Sequence, residues 1–477
     1  MKKMLLFVFS LFFIAIINAQ RPIITKWNVP LTPNTIDIKI RSDGSFMYQY
    51  VNANNPAIYG QGNGGSTVNT TITTISLPEA GEYIVSIFPS SSFKFNFDSS
   101  NFATIDKNKF ILISQWGDVN WKTDLSGMFN DCSNLKITAT DVPDFSNVTN
   151  MSGMFTGCRA LTTVPNMNNW NLSNVINIRG MFVGARNFNE DIGNWDTSKI
   201  TDMSNVFFGA EQFNQNIGDW DTSQVTNMTG MFRGASLFNQ NIGNWNTSKV
   251  IYMTAMFEDA TLFNQNIGNW DTTKVTTMSY MFNNAINFNQ NIGNWVVNLV
   301  GDMRNMFDGA TGFNQNLQHW KLSSNVRLEN MFNNSGIDCE NYSRILYGWV
   351  QNISSPTYRK LGALGMKYGI SAKVYRDKLI QLKGWTITGD ALESNCNIQL
   401  ATSEIEKENF LVFPNPTKGI FNIYSKTKEE IFIYNFAGQM LRKETLKAGD
   451  NKIDISTFPN GVYILQKENK TYKLIKE

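Results

Sequence analysis

The chain has 477 residues, more than one ordinary core accommodates, and 42% of them are hydrophobic, enough for folded structure throughout. Charged residues make up 17% and nearly cancel, 41 Lys and Arg against 39 Asp and Glu, which gives no electrostatic case for nucleic acid, since that would call for a basic stripe. A single histidine, His319, argues against a nucleophilic triad or a zinc site, and no enzymatic activity is expected.

Lys2 and Lys3 precede an apolar run from Leu5 to Ile17, and Ala19 stands as a small residue before Gln20. This is the pattern of a signal peptide over residues 1–19, cut between Ala19 and Gln20. The run, about thirteen residues, is short for a bilayer span of about twenty. No later segment is apolar enough to span, so the mature chain is expected to be exported, without a transmembrane segment.

Residues 20–120 read as β structure. Ile36 to Ile40 and Phe93 to Phe97 alternate strictly, as half-buried strands do, and Tyr83, Val85 and Ile87 mark another strand after the turn at Ala80-Gly81. A small β-sandwich that caps the neighbouring repeat region is the expectation. Asp43, Glu79, Glu82 and Asp98 are scattered through it without a catalytic pattern.

Residues 121–336 repeat. Trp170, Trp195, Trp220, Trp245, Trp270, Trp295 and Trp320 recur every 25 residues, and a Met-Phe pair keeps the same beat from Met181-Phe182 to Met331-Phe332, with Val206 standing in once. Read from Val250, apolar residues three or four apart predict a short helical turn, and Phe263 to Ile267 predicts a short strand. One such coil cannot bury its Val, Met, Phe, Ile and Trp alone, so neighbours must stack. The expected fold class is an α/β repeat solenoid, leucine-rich-repeat-like, with 25-residue coils. An N-terminal β domain and a C-terminal small β-sandwich would flank it.

The pattern V-x-x-M-x-x-M-F-x-G-A/C-x-x-F-N-x-x-I-x-x-W resembles the BspA-type leucine-rich-repeat surface proteins of bacteria, over about residues 124 to 335. Met, Phe and Trp replace most of the leucines of ordinary leucine-rich repeats. The resemblance implies a surface protein that attaches to host or matrix components.

Within the repeats, Cys132 and Cys158 occupy the place that later coils give to Ala185, Ala210, Ala235 and Ala260. This is either a tight slot for a small side chain or a bridge between stacked coils. The Trp ladder reads as a core edge or as a sugar-stacking platform. The Asn ladder (Asn189, Asn214, Asn239, Asn264, Asn289, Asn314) reads as amides bonding to the adjacent coil. Gln215, Gln240, Gln265, Gln290 and Gln315 form the candidate partner-binding face, against the alternative of an uncommitted solvated row. Asp196, Asp221 and Asp271 lack the density of a calcium repeat, so neither metal nor cofactor is expected.

Residues 337–391 change character, with one helix near Tyr342 to Trp349 and a second capped by Ser371 that places Ala372, Tyr375, Leu379 and Leu382 on one side, ending at Gly384. This is the expected C-terminal cap of the stack. Cys339 and Cys396 flank the segment as a possible disulfide, and residues 392–409 read as a polar linker.

Residues 410–477 alternate in short strands between turns, the pattern of a small β-sandwich. Phe413-Pro414-Asn415-Pro416, Ile431 to Gln439, Ile453 to Ser456 and Gly461 to Leu465 resemble a type A C-terminal sorting domain of the type IX secretion pathway of Bacteroidetes. The resemblance implies the type IX machinery as a partner and a secreted or outer-membrane surface location. The function expected from the whole is an adhesin or interaction scaffold for a protein or glycan ligand. The alternative is a carbohydrate-binding accessory protein using exposed Trp or Gln/Asn ladders.

Overall fold

The computed structural model describes residues 20–31, 36–97, 106–352, 356–396, 412–413, 416–425, 427–467 and 470–477. The expected signal peptide with Ala19, and most of the expected linker, lie outside them. The chain divides into two compact units, Met1–Cys396 and Asn397–Glu477.

In the first unit, eight strands precede the repeats: β1 (Ile23–Val29), β2 (Asp37–Asp43), β3 (Phe46–Asn52), β4 (Tyr59–Gly64), β5 (Thr71–Ser76), β6 (Gly81–Pro89), β7 (Lys94–Phe95) and β8 (Phe110–Gln115). β9 (Lys136–Ile137) belongs to the first repeat. The larger sheet runs β4-β3-β6-β1-β8-β9 and the smaller β5-β2-β7. Alternation along β1 and β6 turns every second residue inward, so Trp27 stacks on Phe110 at 4.5 Å. β9 pairs parallel with β8, which carries the sheet into the repeats. The aromatic core continues the same way, from Phe110 to Phe129 at 6.0 Å and on to Phe155 at 5.5 Å. The apolar end of the stack is thereby covered.

The repeats then pile in register. Single parallel bridges link Asp124, Asn150, Asn177, Asp202, Asn227, Tyr252, Thr277, Asp302 and Arg327 in succession. The N–H of each Met-Phe phenylalanine donates to the carbonyl one layer on, as Phe232 does to Met256 and Phe257 to Met281, both at 2.9 Å. In the layer read from Val250, the side chains of Met253, Met256, Phe257, Ala260, Phe263 and Ile267 are fully buried. Equivalent phenylalanines stack nearly parallel, Phe257 on Phe282 at 5.7 Å, an offset arrangement that aromatic rings favour.

The expected α/β solenoid is overturned by this geometry. The described part of the chain is mainly β, in several small sheets, and its two α-helices, α1 (Cys339–Gln351) and α2 (Lys373–Gln381), lie after the repeats. The segment from Met253 to Ala260 forms consecutive turns, closed by bonds such as Ala260 N–H to Phe257 O at 3.1 Å and forced by positive φ at Ala255 and Asp259. A helix cannot pass through such residues. Phe263 to Ile267 forms no strand, and its bonds to the preceding layer run through side chains, as Asn264 N–H to Asn239 Oδ1 at 3.0 Å.

After the last repeat, Leu328 bridges to Leu361 of β10 (Lys360–Gly362), which pairs parallel with β12 (Thr386–Thr388). β11 (Lys367–Gly369) pairs likewise with β13 (Ala391–Glu393). α2 buries Tyr375 and Leu379 as expected, but Leu382, expected on the same side, is 73% exposed just past the helix end. Cys339 and Cys396 are bonded to each other, tying the start of α1 to the end of the unit.

The second unit packs β14 (Val412–Phe413), β15 (Ile420–Ser425) and β18 (Gly449–Asp454) in one antiparallel sheet. β16 (Glu429–Asn435), β17 (Met440–Leu446), β19 (Gly461–Lys467) and β20 (Lys470–Lys476) form the other, in the order β17-β16-β19-β20. Phe421, Ile423, Ile431, Ile433, Tyr463 and Leu465 are among its core residues.

Candidate partner-binding face

Each Trp of the ladder is buried, with rings between 1% and 4% exposed. From Trp195 to Trp320 the indole N–H donates to the carbonyl of the apolar residue 28 positions earlier, as Trp245 does to Ile217 and Trp270 to Ile242, both at 3.1 Å, whereas Trp170 Nε1 is buried with no hydrogen-bond partner among the described residues. Rings held edge-in this way offer no face to a sugar. Trp349 of α1 repeats the bond to Leu317 O at 3.2 Å, so the helix docks as though it were one more layer.

The Asn ladder bonds layer to layer. Asn189 Oδ1 accepts from Asn214 N–H, Asn214 Oδ1 from Asn239 N–H, and so on to Asn314, which accepts from Asp338 N–H at 3.0 Å. The Gln row runs alongside: Gln215, Gln240, Gln265, Gln290 and Gln315 are half-buried, and each Nε2 donates to the Asn 26 residues earlier. Gln290, for example, reaches both Asn264 O at 2.9 Å and Asn264 Oδ1 at 2.8 Å. These amides stand in for a β-ladder, and their donors are engaged within the stack. Gln20, the expected first mature residue, is exposed and bonds through its side chain to Asp118 O.

A concave feature lies elsewhere, on the turns that carry the Met-Phe pairs. A groove of about 560 Å3 runs over the first five repeats. Its floor is Gly127, Gly153 and Gly180, at φ of 61°, 63° and 62°, then Asn205 at 57°. Glycine is favoured there because an L side chain resists this backbone region. The floor has no spare backbone groups: Gly153 N–H donates to Arg179 O and Gly180 N–H to Ser204 O at 2.8 Å, while Gly153 O accepts from Thr156 and Gly180 O from Val183 at 3.1 Å. What lines the groove is therefore side chain. Arg179 is exposed, and among the described residues its guanidinium has no ion-pair partner. Arg233 lies 5.2 Å over the Phe208 ring and pairs with Glu258 at 3.0 Å. Further along the stack Ala255 and Tyr280 occupy the floor position, Tyr280 with 37% of its surface exposed, and the hollow ends. Sequence reasoning passed over these residues. The signal was present as Gly-Met-Phe at Gly127, Gly153, Gly180 and Gly230, a glycine column confined to one half of the stack.

Cys132 and Cys158 are free thiols with no exposed surface, and Cys158 Sγ donates to Phe129 O at 3.2 Å. Burial pushes both thiols well above their ordinary value. Among the described residues no cluster of His, Cys, Asp or Glu is arranged to hold a metal, and no helix is long and apolar enough to cross a membrane.

Residues 123–243, 159–269 and 236–345 match a family described as Mycoplasma protein of unknown function, DUF285. The repeats are thus those of this family, and the likeness to BspA-type leucine-rich repeats is not carried by the match. Residues 411–477 match the secretion system C-terminal sorting domain, which makes the second unit a type IX sorting domain and implies export to the cell surface or beyond. No curated protein and no solved structure matches the chain.

Proposed function

We propose that the protein is a surface-displayed interaction protein whose repeat stack presents the glycine-floored groove to an elongated, anionic stretch of an extracellular partner. The observation that carries this is Arg179, whose guanidinium has no ion-pair partner among the described residues, beside a floor of three glycines. Planar recognition of carboxylates is what an unpaired Arg does best. Because the floor amides and carbonyls are spent within the stack, a partner strand finds no ladder to extend, and recognition falls to side chains and shape. The sorting domain supports the location, since a binding face is useful only where a partner is met.

The test is a binding array of acidic glycans and matrix proteins probed with the full chain, then with two variants. Gly153→Asn with Gly180→Asn fills the hollow using the residue the stack itself carries at Asn205, so folding is expected to persist. Arg179→Ala removes the cation. Both should lose the captured ligand, and raised salt should weaken the parent interaction. Binding indifferent to all three changes would place recognition on another face.

A further inference from the structure

A second cavity, of about 320 Å3, lies at the seam between the β-sandwich and the first repeat. That is the size of a small-ligand site. Asp43 and Lys94 face each other across β2 and β7 at one edge of it. Lys94 is only 7% exposed, and its Nζ donates to Ser126 O at 3.2 Å. An ammonium has three donors, and a buried one without a carboxylate partner is uncommon. No ion pair to Lys94 is found among the described residues. Asp43 Oδ2 accepts from Asn96 Nδ2 at 3.1 Å, whereas Asp43 Oδ1 is buried with no hydrogen-bond partner among the described residues. Lys122 and Asp124 from the first repeat, with Asn69 and Thr70 opposite, complete the walls.

The chemistry narrows what fits. Two ammonium groups disfavour a metal ion, and two carboxylates disfavour a free anion, so the cavity as a whole is neutral. Its unmet needs are a donor for Asp43 Oδ1 and an acceptor for Lys94 Nζ. A hydroxyl is both in one group, and several adjacent hydroxyls also suit Asn69 and Thr70. We propose that this cavity binds a single residue of a neutral sugar, the Asp43 carboxylate turning to bring Oδ1 to one ligand hydroxyl while the same or a neighbouring hydroxyl accepts from Lys94 Nζ. A carboxylate oxygen kept buried without a partner is a cost to the fold that ligand binding would relieve. The site adjoins the groove at Ser126, yet it stands whether or not the groove has an anionic partner.

The experiment is saturation-transfer NMR on the full chain with free neutral hexoses, a hexuronic acid, and glycine as a zwitterion that would also satisfy one Asp and one Lys. At least one neutral hexose should show transfer. Asp43→Asn should weaken it about tenfold or more while leaving the melting temperature unchanged or raised, the mark of a group retained for binding rather than folding. Lys122→Met gives a second variant away from the buried pair, expected to weaken binding while folding is retained. Absence of transfer from every neutral hexose, preference for glycine or the uronic acid, or transfer unaffected by Asp43→Asn would overturn the assignment.

Discussion

Each Trp from Trp195 to Trp320 both packs and donates a hydrogen bond, and the two contributions separate in Trp270→Phe. The apolar ring stays while Ile242 O loses its donor, which should cost about 1–3 kcal/mol, read by chemical denaturation. Gly268→Ala should be worse tolerated, because an added Cβ would sit 2.6 Å from Asn291 O of the next layer, and backbone cannot yield as a side chain can. Asp196 and Asp271 are held below their ordinary value of 3.8, first by the hydroxyls of Ser198 and Thr273 and then by the backbone N–H groups of the same residues. A carboxyl depressed in the folded chain adds stability above its unfolded value and loses it as pH falls through the folded one. The melting temperature should therefore fall below about pH 4, and fall less in the Asp196→Asn, Asp271→Asn double variant. Asn246 already makes the same turn bond, to Ser248 N–H at 3.1 Å, with no charge to lose. At this scale the sequence announced which residues mattered better than what they do. The Trp and Asn periods were plain because identity repeats, but a Gln donating to a carbonyl 26 residues back has the same spacing as one facing water.

Among elements, α1 shows how the stack is brought to an end. Asp338 Oδ1 caps the helix by accepting from Asn341 N–H at 2.8 Å, while Asp338 N–H and Asn341 Nδ2 bond to Asn314 in the places of the next Asn and Gln of the ladder. The helix thus begins on a template that the repeats supply. Beyond it, the Asp390 side chain is fully buried and receives Arg376 at 2.7 Å and the Tyr342 hydroxyl at 3.1 Å. Removing it as Asp390→Ala leaves a buried guanidinium and phenol unmatched, and a loss of about 3–5 kcal/mol is expected by thermal or chemical unfolding. Reducing the Cys339–Cys396 bridge, which closes a separation of 57 residues, should release about 4 kcal/mol of chain-entropy restraint, seen as faster proteolysis near β13. The expected cap Ser371 lies inside a short 3-10 turn, and Ala372 precedes α2 with no side-chain cap bond, but the helices after the repeats were legible from apolar spacing. The turns inside each repeat were not, because spacing of three or four also describes a chain of tight turns, and only the glycines and asparagines at positive φ tell the two apart. The groove went unread for the same reason.

At the level of the molecule, the address rests on the last unit. Full-length chain should be recovered from the cell surface or medium, and a chain ending at residue 409 should remain inside the outer membrane; equal display of both would remove the sorting role. The uniform length of the repeats has a further consequence. Every layer bonds only to its immediate neighbours, and from Trp170 to Trp320 each slice is 25 residues long. Excising one, for instance residues 246–270, brings together two cut faces that already match. Loss or gain of one whole slice would therefore shorten or lengthen the stack in a single step without a new folding problem. The groove spans only the first five repeats and ends at Arg233, so growth beyond Arg233 would lengthen the stack and leave the groove intact.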